Sequence, residues 1–284
     1  MQDERRASMG HAVAKVPAVT LGFWVAKIVA TTLGETGGDW VTMSLNLGYL
    51  VGTGIFAAAF VVLVYGQVKA ERFHPFVYWA TIVATTTLGT TMADFCDRSL
   101  GVGYGGGTAL IGTLLIVSLA VWHRVEGTVS IQSITAPRTE WFYWCTILFS
   151  QTLGTALGDW TADDDRGGLG LGYEQSALIF GGALLAIAAL YFRTRVSHTL
   201  LFWAAFVLTR PLGATLGDFL DKPLSQGGLH LSRLYASLAL LGCMTLCVLV
   251  VPQRPATDAP HQRFVAADEG RERGFVALCE IAAQ

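Results

Sequence analysis

Carboxylates recur at regular positions in this sequence, and their chemistry is that of a site for cations or protons. Each of four copies of a motif close to TLGxxxGD ends in an aspartate that is followed by an aromatic residue. The four aspartates are Asp39, Asp94, Asp159 and Asp218. The copies begin about 55 to 65 residues apart, a length that fits two membrane-spanning helices with their connections. We therefore predict four equivalent acids, one in each repeat.

Further polar residues precede each motif aspartate in steps of four, and side chains four apart share one face of a helix. The first repeat has Glu35, Thr31 and Lys27 at these steps, the second Thr90 and Thr86, the third Thr155 and Gln151, and the fourth Arg210. Lipid cannot solvate four such polar strips. We expect them to converge on a central polar axis, with the motif glycines allowing close helix approach.

The charges of the strips predict which ligand they suit. Fully ionised, the five acids against Lys27 and Arg210 leave a net charge of −3, and crowded carboxylates in a low dielectric resist ionising together. Carboxylate, hydroxyl and amide oxygens are hard donors that suit Mg²⁺, Mn²⁺ or Ca²⁺. The predicted metal ligands are Glu35, Asp39, Asp94, Asp159 and Asp218, and the predicted further binding residues are Thr31, Thr90, Gln151 and Thr155. We expect Lys27 and Arg210 to meet Glu35 or a motif aspartate as counter-cations.

Two simpler interpretations stay open at this point. The motif aspartates could cap helix ends in water at the outer interface, and Lys27 and Arg210 could form ion pairs that only hold the helices in register. The charged residues just past the motifs are expected to be solvated. These are Asp97, Arg98, the run Asp163 to Arg166, Asp221 and Lys222.

The elements that would position these residues are apolar helices. The chain is 52% hydrophobic and 14% charged, whereas soluble domains carry about a quarter charged residues. We predict an all-α integral membrane protein with eight transmembrane helices, arranged as four parallel two-helix repeats around the polar axis. The membrane domain is placed at 17–252, with repeats at about 17–66, 75–122, 140–192 and 199–251.

Lys and Arg counts predict the orientation. Thirteen of these residues lie on the side of both termini and four on the motif side, so the positive-inside rule places both termini in the cytoplasm. Residues 1–16 are then a cytoplasmic N-terminal segment, and 253–284 a cytoplasmic tail that is predicted to be disordered.

Two segments carry a resemblance to a known family: 27–39, which reads KIVATTLGETGGD, and 209–218, which reads TRPLGATLGD. Over about residues 16 to 252 the chain resembles bacterial uncharacterised membrane-anchored proteins built from four tandem two-span repeats of unknown function. The resemblance implies a bacterial inner-membrane location. It does not indicate any particular activity. A looser similarity is to cation/proton exchangers with an acidic ExGD motif, although Glu35 and Asp39 stand one residue further apart than in that motif.

Three functions are consistent with these patterns. The first is a secondary transporter that exports or exchanges a divalent cation, most plausibly Mn²⁺, against protons. The second is a transporter of a small organic cation or zwitterion, with Trp40, Phe95, Trp160 and Phe219 as walls. The third is a membrane scaffold or sensor whose buried ions are structural.

No nucleophile with a base or metal partner supports an enzyme, and we expect no cofactor. The expected partners are the lipid bilayer, the inorganic cation and protons, with no nucleic acid and with a possible homo-oligomer.

Overall fold

The first repeat shows how each unit is built. In the computed structural model, which describes residues 15–256 apart from 71, 132–133, 135 and 165, helix α1 spans Leu21–Asp39 and helix α2 spans Gly48–Lys69. The hydroxyl of Thr20 caps α1 by accepting a hydrogen bond from the Phe23 backbone N–H at 3.2 Å. A π-helical segment, Trp40–Ser44, connects α1 to the link before α2.

The other three repeats follow the same plan. Their helices are α3 (Pro75–Asp94), α4 (Gly103–Glu126), α5 (Pro137–Ala162), α6 (Tyr173–Arg193), α7 (His198–Asp221) and α8 (Arg233–Val250). Proline opens both α3 and α5, where its missing N–H costs no helical hydrogen bond. In this part of the chain there is no β-sheet and only an isolated bridge between Pro17 and Pro255. The all-α prediction is therefore confirmed for the residues that the structure describes.

The eight helices form two layers. The odd-numbered helices make a closed inner ring in which α1 packs on α3, α3 on α5, α5 on α7 and α7 on α1. Each even-numbered helix lies outside this ring, against the odd helix of the next repeat: α2 on α3, α4 on α5, α6 on α7 and α8 on α1. The last helix thus closes the structure onto the first.

The motif glycines set the close approach of the ring helices. Each faces the polar residue that lies eight positions before the aspartate of the next ring helix: Gly34 faces Thr86, Gly89 faces Gln151, Gly154 faces Arg210 and Gly213 faces Thr31. An added Cβ would come within 2.1 to 2.9 Å of these neighbours, closer than real Cβ contacts occur. The third residue of each motif is therefore glycine because the next helix passes where a side chain would stand.

Five of the helices are long and apolar enough to cross a membrane, namely α2, α4, α6, α7 and α8. This fits a membrane protein and supports the prediction of eight apolar spans in part. Helices α1, α3 and α5 lie in the inner ring, where buried polar residues face each other and lower the mean hydropathy. These three helices are more polar because they line the protein interior and the outer helices cover them.

Both described chain ends lie at the end of the ring opposite the motifs. The backbone N–H of Ala18 donates to the carbonyl of Arg254 at 2.7 Å, and Lys15 pairs with Glu140 at 2.7 Å. Most of the predicted N-terminal segment, 1–14, and most of the predicted disordered tail, 257–284, lie outside the described residues.

Candidate functional site: a buried polar axis

The four motif aspartates lie at one end of the inner ring, the motif end, and are nearly inaccessible to solvent. Asp39 and Asp159 are each 1% exposed, and Asp94 and Asp218 are each 2% exposed. Each ends or nearly ends a different ring helix, so the closed ring brings all four to one level. They are buried acids and not solvated caps.

Two groups of three carboxylates come close enough to share one ion. Oxygens of Glu35, Asp159 and Asp218 all lie within 4.8 Å of one another, and so do oxygens of Asp39, Asp218 and Asp221. Asp218 belongs to both groups, which places them next to each other along the axis. Asp94, the remaining predicted metal ligand, belongs to neither.

Arg210 is the centre of the polar layer beneath the aspartates. Its Nη2 donates to Glu35 Oε2 at 2.9 Å and to Thr155 Oγ1 at 2.6 Å, and it also donates to the hydroxyl of Thr90. The expected pairing of Arg210 with Glu35 is therefore present. Thr90 and Thr155 join this pair, so three of the ring helices contribute acceptors to one guanidinium on the fourth.

The other predicted binding residues are buried on the axis but have different surroundings. The hydroxyl of Thr31 is occupied by backbone carbonyls, including that of Thr209 on α7 at 3.2 Å. Gln151 is fully buried, and neither atom of its amide hydrogen-bonds to a described residue. Among the described residues, no hydrogen bond joins either side chain to a carboxylate.

The prediction that Lys27 meets Glu35 or a motif aspartate is wrong. The side chain of Lys27 is fully buried, makes no hydrogen bond or ion pair with any residue that the structure describes, and lies over the Phe206 ring at 4.2 Å from its centroid. It stands eight residues before Glu35 on the same helix, a rise of about 12 Å, which a lysine side chain cannot span.

Two basic residues that we expected to be solvated sit among the aspartates. Arg98 Nε lies 2.8 Å from Asp94 Oδ1, and its Nη2 lies 3.4 Å from Asp159 Oδ2. Lys222 Nζ lies 2.9 Å from Asp39 Oδ2 and 3.0 Å from Asp218 Oδ1. Each cation therefore bridges two aspartates on neighbouring ring helices.

These cations could have been found from the sequence. Arg98 and Lys222 stand four residues after Asp94 and Asp218, so each polar strip continues outward for one more turn. The equivalent residues in the first and third repeats are Met43 and Asp163. With Arg98 and Lys222 included, the five predicted acids face four basic residues, and the net charge of the axis is −1 instead of −3.

Asp97 and Asp221 were also expected in water, and the structure buries them. Asp97 is fully buried against Gly107, with no hydrogen bond to its carboxylate from the described part of the chain. Burial raises the pKa of Asp97 to about 7, against the opposing effect of Arg98. Asp221 is paired with Arg233 at 3.1 Å. Asp163 is half-buried and accepts hydrogen bonds from Tyr104 and Tyr173 at 2.7 Å, and Asp164 and Arg166 are exposed as expected.

Opposing effects act on the charge of Lys222. Burial lowers the pKa of its amine, but the carboxylates of Asp218, Asp39 and Asp221 together raise that pKa well above the usual value. Lys222 therefore remains a cation at any physiological pH.

A collar of aromatic rings closes the opposite end of the axis. Each ring helix packs an aromatic residue at a tilted or edge-on angle against the tryptophan of the next, with ring centroids 5.5 to 6.4 Å apart: Phe23 against Trp79, Tyr78 against Trp144, Tyr143 against Trp203 and Phe202 against Trp24. The hydroxyls of Tyr78 and Tyr143 hydrogen-bond at 2.7 Å. These contacts join all four ring helices on the side of the chain ends.

A comparison with protein families accounts for the repeats. A family model described as "Repeat of Unknown Function (DUF347)" matches the chain four times, at residues 22–73, 77–128, 142–197 and 201–253. The expected resemblance to a family of four tandem repeats is therefore confirmed. No curated protein and no solved structure matches the chain significantly.

Proposed function

We propose that this chain, which belongs to the DUF347 repeat family, is a secondary transporter that exchanges a small divalent cation, preferably Mn²⁺, for protons across the bacterial inner membrane. The proposal depends on one observation. Glu35, Asp159 and Asp218, from three different ring helices, bring carboxylate oxygens within 4.8 Å of one another in the buried interior.

The spacing of these oxygens suits a hard divalent ion. Mg²⁺-sized ions hold their ligand oxygens at about 2.1 Å, so two oxygens on one ion are at most about 4.2 Å apart. The observed group needs shifts of less than about 1 Å to reach that geometry. Arg210, Arg98 and Lys222 each pair with one of these carboxylates, and burial disfavours the ionised form of the carboxylates, so these cations together with protons would replace the ion when it leaves.

The position of Lys222 supports an exchange mechanism. Lys222 bridges Asp39 and Asp218 as a bound cation would, and Asp221 lies beside them. A cleft at the motif end, lined by Ser44, Asp221, His230, Leu231, Ser232 and Arg233, leads to this outer group. An arriving ion would displace the tethered amine of Lys222 from Asp218 and then pass to the inner group, which shares Asp218.

The aromatic collar supports access from one side at a time. With the collar closed, we expect the carboxylates to be reached only from the motif side, which the positive-inside rule places outside the cell. Transport would require the ring helices to separate at the collar, and the Tyr78 to Tyr143 hydrogen bond would then break.

One observation favours a second function, a membrane scaffold with structural ion pairs. Four of the five predicted acids are paired with Arg98 or Lys222, and Glu35 is paired with Arg210. A fully paired network needs no further ion. The alternative of an organic cation has less support, because Trp40, Phe95, Trp160 and Phe219 are only half-buried and Trp160 lies near Gly105 on the outer helix α4.

Calorimetric titration of the purified protein would test the proposal. Mn²⁺, Mg²⁺, Ca²⁺ and Zn²⁺ would be titrated at several pH values in two buffers of different ionisation enthalpy, which counts the protons released per ion. We expect Mn²⁺ to bind with proton release, and Asp159→Asn to weaken binding at least tenfold. Asp164→Asn is the matched control because Asp164 is exposed.

Two results would decide against exchange. Binding that releases no protons would exclude coupling to the carboxylates. Absence of Mn²⁺ binding by the native protein, together with a large loss of stability in Asp159→Asn, would favour the scaffold.

A further inference from the structure

Below the Arg210 to Glu35 pair, the axis contains polar atoms that no neighbour satisfies. Within the described part of the chain, no hydrogen bond reaches Lys27 Nζ, Thr86 Oγ1, either amide atom of Gln151, or Nε and Nη1 of Arg210. All four residues are fully buried. Buried polar atoms without partners are uncommon in proteins and often mark an ion or a water.

These atoms are mostly hydrogen-bond donors. Lys27 brings three N–H groups, Arg210 brings three on Nε and Nη1, and Gln151 brings two on Nε2. The acceptors among them are only Gln151 Oε1 and the Thr86 hydroxyl. A missing partner for this group must therefore accept hydrogen bonds.

In the same region, no acid among the described residues is available to balance a charge on Lys27. Arg210 pairs with Glu35, but Lys27 has no acid partner among the described residues, and its burial and the nearby Arg210 both disfavour the charged form of its amine. The contact of Lys27 with the Phe206 ring stabilises an ammonium less than burial destabilises it. A bound water would add hydrogen bonds but would not stabilise the charged form of Lys27, as a bound anion would.

We propose that the inner half of the axis binds one small monovalent anion, a halide or a carboxylate, between Lys27, Gln151 and Arg210. The anion stabilises the charged form of Lys27 and accepts hydrogen bonds from the three side chains. The tight glycine contacts at this level, where Gly154 faces Arg210 and Gly89 faces Gln151, exclude a bulky anion. This site is independent of the proposed cation exchange and lies inward from its carboxylates.

Anion binding would be measured on the purified full-length protein in EDTA at constant ionic strength. Bromide and acetate are the two probes, and sulfate is the reference because it is divalent and larger. We expect saturable thermal stabilisation by at least one probe that exceeds the effect of sulfate, as linkage requires for a ligand of the folded state. Bromide alone would identify a halide site, and acetate alone a carboxylate site.

Lys27→Met should abolish the stabilisation, and Gln151→Leu should lower the apparent affinity at least threefold while Lys27 remains. Lys69→Met is the matched control, because Lys69 also lies over an aromatic ring, Tyr65 at 5.6 Å, but is exposed. Crystals soaked in bromide should show anomalous density beside Lys27.

The anion site is wrong if neither probe exceeds sulfate, or if Lys27→Met responds as the native protein does. Mn²⁺ binding measured on Lys27→Met separates the two proposals. If that variant binds Mn²⁺ normally but no anion, both stand. If the native protein binds the anion but not Mn²⁺, only the cation exchange fails.

Discussion

The two halves of the polar axis solve the problem of buried charge differently. In the outer half, five acids face Arg98, Lys222 and Arg210, and every acid has a cation within 3.4 Å. In the inner half, the side chains of Lys27 and Gln151 have no hydrogen-bond partner among the described residues. Every acid of the outer half is thus paired within the chain, whereas polar side chains of the inner half need a partner that the described residues do not supply. Substitutions of the same type should therefore have different effects at the two ends.

The largest effect is expected for Lys222→Met. This change leaves Asp39 and Asp218 buried without their bridging cation, and removing one partner of a buried pair costs about 3–5 kcal/mol. Denaturant unfolding followed by tryptophan fluorescence would measure the loss of stability. The loss should be greater at pH 8 than at pH 6, because protonation of the orphaned acids relieves it. A loss no larger than that of Lys69→Met would contradict the outer ion network.

A smaller loss is expected for Gly154→Ala. The new methyl would lie 2.2 Å from Arg210 Cγ, and overpacking of this kind costs about 1–3 kcal/mol. Gly182→Ala in α6 is the matched control, since nothing lies within 4 Å of its added methyl. That control should be neutral or slightly stabilising. Equal effects of the two substitutions on the free energy of unfolding would show that the ring helices are not in tight contact.

The pH dependence of stability should change in Asp97→Asn. The folded protein raises the pKa of Asp97 to about 7 from about 3.9 in the unfolded chain, so the folded state binds more protons between these values. Stability from this group is therefore complete below about pH 4 and is lost as pH rises to about 7, by at most about 1.4 kcal/mol per pH unit. Unfolding measured from pH 5 to 8 should show a shallower decline in the variant. An unchanged slope would mean that Asp97 is solvated.

The smallest effect is expected for Lys27→Met in buffer without halide or carboxylate. No acid is left unpaired, and a methionine of similar length can fill the space beside Phe206. The free energy of unfolding should be unchanged or higher by up to about 1 kcal/mol. A loss similar to that of Lys222→Met would show that Lys27 has a charged partner and would remove the contrast between the two halves.

Much of the site was predictable because it repeats. The motif placed Asp39, Asp94, Asp159 and Asp218 at equivalent positions, and the four-residue spacing placed Arg210 within reach of Glu35. The burial of Arg98 and Lys222 was missed because charged residues beside glycine-rich links were expected to be in water. The prediction that Lys27 pairs with Glu35 or a motif aspartate was wrong, because the spacing identifies a helix face but not how far a side chain reaches along the helix.

The sequence by itself determined the four repeats, the all-α class and the helix face on which each polar strip lies, because periodicity along one chain is enough for these. Only the tertiary structure decided which helices are neighbours. Each outer helix packs on the ring helix of the next repeat, and α8 returns to α1. Equivalent repeats allow more than one pairing of equivalent faces, so the contacts between glycines and polar residues of different helices select the arrangement. That selection joins Glu35, Asp159 and Asp218, which lie far apart in sequence, and separates Lys27 from all of them.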